Sequence, residues 1–237
     1  MVHSRRSAGI AATALVMVII AGGCARGQDE TAGCSELLAA TAPSAPDQQD
    51  ERTAVCAAFG AYREALEDRD APAALALVPD STIAYNEWLA GVAGTGGPEE
   101  IGTLSMFDRI SIAALRIQFP TAELAAMDGR QLFSAGVETP RLSSTAPPSD
   151  DALGAVRIEG DRAYIQIVAD GTPTPFDFEL VHVDGAWLVD VVALQRFVNS
   201  VLEDGARRSG IPEDKLIFDA VEKATGKRVD ESIFARP

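Results

Sequence analysis

Residues 176–192 read FDFELVHVDGAWLVDVV, and the fold turns on how this stretch is read. Apolar and polar residues alternate with a period of two on both sides of Asp184–Gly185, a dipeptide suited to a two-residue hairpin turn. That turn sets the register. Val183 is expected opposite Ala186, His182 opposite Trp187, Leu180 opposite Val189, and Phe178 opposite Val191. Phe176, Phe178, Leu180, His182, Trp187, Val189 and Val191 then share one face, which is nearly all apolar and needs helices to cover it. The opposite face carries Asp177, Glu179 and Asp190. Glu179 falls opposite Asp190, and like charges in direct opposition are destabilising unless solvated, so that end is expected to be wet.

The same period runs upstream. Ala155–Ile158 and Arg162–Ala169 read as strands joined by Glu159–Gly160–Asp161, after a Ser/Thr/Pro-rich loop from Pro140 to Asp151. Before that loop, from about Glu51 to Gly136, the pattern is helical. Val55, Phe59, Tyr62 and Leu66 follow one another at spacings of four, three and four, which aligns them on one helix face. Asp70 before Ala71–Pro72 marks a helix start, with aspartate as N-cap and proline in the first turn. Asp80 is read as a cap for a segment holding Ile83, Trp88 and Leu89. After the Gly94–Gly97 break, Pro98–Glu99–Glu100 opens a helix expected to run to Phe119. Another starts at Pro120–Thr121 and is kinked or split at Asp128–Gly129. Downstream, Leu194–Ala206 and Pro212–Thr225 are helical, the second closed by Gly226.

Helices followed by an antiparallel meander make an α+β chain. The Val55–Leu66 helix, the short helices after it and the hairpin Val183–Asp184–Gly185–Ala186–Trp187–Leu188–Val189–Asp190 resemble the nuclear transport factor 2-like superfamily. This is the cone-shaped fold shared by ketosteroid isomerases and polyketide-cyclase-type proteins. The resemblance covers residues 51–205 and leaves 206–237 as a C-terminal helical extension. It implies N-terminal helices packed on a curled antiparallel sheet, with a pocket between them lined by Tyr62, Phe178, His182 and Trp187. It implies no particular activity, because this fold hosts enzymes, binders and dimerisation modules alike.

The first residues read differently. Arg5 and Arg6 precede an uncharged apolar run from Ile10 to Ala21, too short to span a bilayer comfortably but suited to an export signal over residues 1–23. Ala21–Gly22–Gly23–Cys24 resembles the bacterial lipobox, which implies diacylglycerol on Cys24 and an extracytoplasmic, membrane-anchored chain. Ala21 stands where leucine is usual, so cleavage by the ordinary signal peptidase is the other outcome. Residues 24–50, rich in Ala, Pro, Ser, Gln and Asp, read as the lipidated terminus and a flexible linker.

Composition narrows the partners. The formal charge is −15, and loss of Arg5 and Arg6 with the signal would leave about −17. Such a chain is repelled by phosphate backbones, so no nucleic acid is expected. With Cys24 lipidated, Cys34 and Cys56 remain as a candidate disulfide in an oxidising compartment. It would close a loop of about 20 residues and contribute ~3 kcal/mol; two unbridged thiols are the alternative.

Little in the sequence announces chemistry. Beyond the signal, His182 is the single histidine, which excludes two- or three-histidine zinc sites, and the cysteines lack metal-pair spacing. There is no G-x-S-x-G elbow, and Gly226–Lys227 is followed by arginine, not the Ser or Thr of a phosphate loop. No metal or cofactor is expected. Three functions stay open: a non-catalytic domain binding a small apolar ligand or an envelope protein, a small pocket enzyme (isomerase, dehydratase or hydrolase), and a structural envelope lipoprotein. Convergent polar groups in a pocket would favour the enzyme, an apolar cavity the binder, and no cavity the structural role.

Overall fold

The computed structural model describes residues 46–139, 153–169 and 172–237. The export signal, Cys24, Cys34, residues 25–45 of the linker and the 140–151 loop lie outside them. Among the described residues, nine α-helices accompany one four-stranded antiparallel sheet, so the chain is α+β with a curled meander.

Helix α1 spans Pro46–Glu67, α2 Ala71–Leu75, α3 Asp80–Thr95, α4 Pro98–Ile101, α5 Met106–Gln118, α6 Thr121–Leu124 and α7 Gly129–Glu138. Strands β1 Leu153–Glu159, β2 Arg162–Ala169, β3 Thr172–Val183 and β4 Ala186–Val189 follow, paired in that order. Helices α8 Val191–Ser209 and α9 Glu213–Thr225 and a final 3-10 turn, Glu231–Phe234, complete the chain.

The hairpin has the expected register: Leu180 faces Val189, His182 faces Trp187 and Val183 faces Ala186. Asp184 and Gly185 both take positive φ, 49° and 83°, as a two-residue turn matched to strand twist requires. The strand ends sooner than its apolar pattern suggests. Val191 does not pair with Phe178 but is the first residue of α8, because Asp190 caps that helix by accepting the Ala193 N–H at 3.1 Å.

This corrects the expectation of a wet Glu179–Asp190 pair. Asp190 is buried, its backbone N–H donates to the Glu179 carbonyl at 2.9 Å, and its carboxylate satisfies the helix start. The Glu179 side chain instead meets Arg162 at 3.1 Å on the outer sheet face. There Arg157 also pairs with Asp177 at 3.1 Å and stacks over the Tyr164 ring.

Upstream, Asp70 caps α2 as read, accepting from Ala73 N–H at 3.0 Å. Asp80 is the first residue of α3 and Pro79 its N-cap. The helix expected from Pro98 to Phe119 is two. Ser105 takes extended backbone and caps α5, so its hydroxyl, not Pro98, starts the longer piece. The Asp128–Gly129 split is a capping box, with Asp128 and Gln131 each satisfying the other's backbone N–H. Gly129 is also where α7 meets α3: a Cβ there would lie 2.0 Å from the Ile83 carbonyl oxygen.

The interior has two apolar clusters. In the first, Val55, Phe59 and Tyr62 of α1 meet Ile165, Phe178, Leu180, Trp187 and Val189 of the sheet, with the Phe59 and Phe178 rings 5.0 Å apart. Leu66 packs at its edge. The second is helical: Leu89, Ile101, Ile112, Leu115, Leu124 and Leu132 surround Ile217, Val221 and Phe234. Segment 206–237 thus places Ile217, Val221 and Phe234 inside this second core. Arg116 secures it, donating to the carbonyls of Ala93 (2.8 Å), Gly96 (2.6 Å), Ile233 (2.9 Å) and Ala235 (2.9 Å). Burial holds its guanidinium below the usual arginine range.

Candidate functional site

Helix α1 lies across the curled sheet, so Tyr62, Phe178 and Trp187 are buried together as core. The Tyr62 phenol is pushed well above its ordinary value by burial. His182 is exposed near the hairpin tip, its ring 4.8 Å from that of Trp187 and its backbone N–H on the Asp161 carbonyl at 2.8 Å. Cys56 is buried in α1; its proposed bridge partner Cys34 lies outside the described residues.

Among the described residues, two of the depressions open to solvent stand out, and none of these four candidate lining residues borders either one. The larger, about 410 Å³, is a shallow charged surface between α1 and β1, edged by Glu51, Arg52, Val156, Arg157, Ile158 and Gly160. The smaller, about 110 Å³, is a cleft where α3, the start of α5 and the first turns of α8 converge. Tyr85, Ser105, Phe107, Asp108, Val192, Gln195, Arg196 and Asn199 line it.

Helix geometry brings these side chains together. On α8, Val192, Gln195, Arg196 and Asn199 are spaced three, four and seven residues from the first, so they share one face. On α5, Ser105 as N-cap accepts the Asp108 N–H at 3.2 Å and returns its own O–H to Asp108 Oδ2 at 2.6 Å. From α3, the Tyr85 hydroxyl donates to Asp108 Oδ1 at 2.5 Å. Asn199 Oδ1 accepts the Phe107 N–H at 3.2 Å, and its Nδ2 donates to Glu203 at 2.7 Å. Burial first, then the hydrogen bond to Asp108 and its negative charge, raise the Tyr85 phenol far above its ordinary value. The phenol therefore stays protonated as a donor.

Two groups stand outside this network. Gln195 Oε1 is buried without a hydrogen-bond partner. The exposed Arg196 makes no hydrogen bond or ion pair with any described residue.

Sequence reading missed this cleft. Ser105-x-x-Asp108 is the one local trace, a helix-start pattern; Tyr85 and Gln195 come from 23 residues before and 87 after Asp108 and leave no periodic mark. Among the described residues, no group of three or more His, Cys, Asp or Glu is placed to hold a metal ion, and no helix is long and apolar enough to cross a membrane. Comparison of the chain with protein-family models, with curated proteins and with solved structures gave no match.

Proposed function

We propose that this chain is an exported lipoprotein, anchored through Cys24 to a bacterial membrane, and that its folded part is a non-catalytic binding domain of the nuclear transport factor 2-like type. Helices packed on a curled antiparallel sheet support the fold assignment. The polar lining of this cleft is the arrangement expected of an enzyme rather than of an apolar binding cavity; the observation that nevertheless carries the non-catalytic reading is the condition of the cleft's acid. Both Asp108 oxygens already accept hydroxyl protons, from Tyr85 at 2.5 Å and Ser105 at 2.6 Å. A general base needs a carboxylate or imidazole within reach of a substrate proton. Both oxygens of the carboxylate here are engaged, and His182 is not among the residues that line the cleft. The Ala21–Cys24 motif supports the anchor, and the stretch from Cys24 to the start of α1 at Pro46, shorter than the linker to residue 50 read from the sequence, would hold the domain clear of the surface.

Membrane fractionation tests the anchor. Wild-type chain is expected in the membrane pellet, and Cys24→Ala in the soluble extract; a Cys24→Ala chain that stays in the pellet refutes lipid anchoring. The binding role is read from thermal unfolding, because a ligand bound only to the native state raises the midpoint by mass action.

A further inference from the structure

The meander leaves two edges, and they are finished differently. In a two-residue hairpin the closing pair exchanges both backbone hydrogen bonds, and so does every second pair beyond it. In the β3–β4 hairpin, closed by Val183 and Ala186, that count turns the Val189 N–H away from β3, and there it meets the Leu77 carbonyl at 2.8 Å. The β4 edge is thus closed by the chain itself. The β1–β2 hairpin is closed by Glu159 and Arg162 around Gly160, whose φ is 63°. The same count commits the backbone groups of Glu159 and Arg157 to β2 and turns those of Val156 and Ile158 outward. Among the described residues, no backbone hydrogen bond reaches β1 from any element except β2. Along this edge runs the shallow groove of about 410 Å³, with Glu51 and Arg52 of α1 on its other side. An unclosed edge beside open space is a template for another strand.

Charge selects the strand. With −15 overall, two copies of the chain repel one another at long range. A contact about a two-fold axis must be self-complementary, with both signs of charge on one patch. This patch has both: Glu51 and Arg52 on α1, and Arg157 bonded to Glu159 on β1. We infer that β1 pairs antiparallel with β1 of a second copy, joining two four-stranded sheets into one. Three registers bring the outward groups of Val156 and Ile158 into line. Centred on Arg157, two arginines stand opposed, which is destabilising. Centred on Val156, the ladder runs into the register shift between Leu153 and Val156. Centred on Ile158, the two Ile158 residues exchange both backbone bonds, and each Arg157 faces the second copy's Glu159. Only the last avoids both penalties. Because Arg157 and Glu159 are about half exposed, their charges fix register and partner more than they add affinity. The pairing goes beyond the binding-domain reading and needs no ligand.

Sedimentation equilibrium of the full chain in detergent, with micelles in excess over chains, tests it. Wild type is expected to pass from monomer to dimer as its concentration rises. Arg157→Glu sets acid against acid across the axis, and Glu159→Arg sets base against base. Each is expected to weaken association at least tenfold while keeping the wild-type circular dichroism spectrum. Mixed in equal amounts, the two variants are expected to associate at least as tightly as wild type, because every acid then meets a base. Monomer at every concentration up to millimolar, a dimer indifferent to both substitutions, or a mixture that stays monomeric overturns the inference. Should either variant fail to fold, amide exchange of the wild type decides. The Ile158 N–H is expected to gain at least tenfold in protection between dilute and concentrated chain, and equal exchange at both overturns the pairing. Failure here leaves the anchored-binder reading intact, and failure of the Cys24→Ala fractionation leaves this edge untouched.

Discussion

In the sheet core, Val55, Phe59 and Tyr62 reach down from one helix onto Ile165, Phe178, Leu180 and Trp187; in the helical core, Leu89, Ile112 and Leu124 close on Ile217, Val221 and Phe234. The first is organised by a repeating ladder, so each inward side chain is placed by the one two residues before it. The second has no such ruler. Its short helices and its C-terminal turn are brought to one point by a charged side chain: Arg116 gathers carbonyls from Ala93 and Gly96 on one side and Ile233 and Ala235 on the other. Arg109 adds a second tie, from α5 to Asp214 of α9. Apolar burial stabilises both regions, but only the helical one needs ionic hydrogen bonds to bring distant backbone ends together.

Deleting one ring of the Phe59–Phe178 pair is the harshest way to probe this contrast. Phe178→Ala should destabilise the chain by about 3–5 kcal/mol. Because α8 carries Val191 into the sheet core and Ala206 into the helical one, chemical denaturation should still show one transition. Two resolved transitions would mean that the cores unfold separately. Arg116→Met keeps the length of the side chain and removes the ionic hydrogen bonds. It should cost about 3 kcal/mol and raise amide exchange selectively in residues 231–237, while leaving the sheet amides protected. Uniform loss of protection would contradict the assignment of Arg116 to the helical core.

The smallest effect concerns pH and draws one tyrosine from each neighbourhood. Tyr62, in the sheet core, and Tyr85, in the cleft, both have phenols raised above their ordinary value, chiefly by burial. The unfolded chain then loses these protons near pH 10 while the folded chain keeps them. Stability from each is complete below about pH 10 and falls above it by about 1.4 kcal/mol per pH unit. Tyr62→Phe and Tyr85→Phe should each flatten the alkaline slope of the unfolding free energy. A slope unchanged in both would show that neither phenol is sequestered as described.

The two regions also differ in how far they could be read before any coordinates. The Asp184–Gly185 turn and the alternation around it yield the pairing of Leu180 with Val189 and His182 with Trp187, because a strand's period is local. The face of α1 is legible for the same reason. What escapes is set by partners distant in sequence. Nothing near Arg116 in sequence announces Ala235, and nothing near Tyr85 announces Asp108. Asp190 misleads in another way: as a strand residue it faces Glu179, as an N-cap it turns inward, and the choice depends on where α8 begins.

That choice has a mechanical outcome. Asp190 is at once the residue whose N–H reaches back to β3 and the residue whose carboxylate starts α8, while the preceding N–H, on Val189, is held by the Leu77 carbonyl at 2.8 Å. With no spacer between strand and helix, there is no swivel at this joint. Torque on α8 passes directly to the meander, and Gln195 and Arg196, little more than one turn beyond the joint, are carried on a rigid lever rather than a loop.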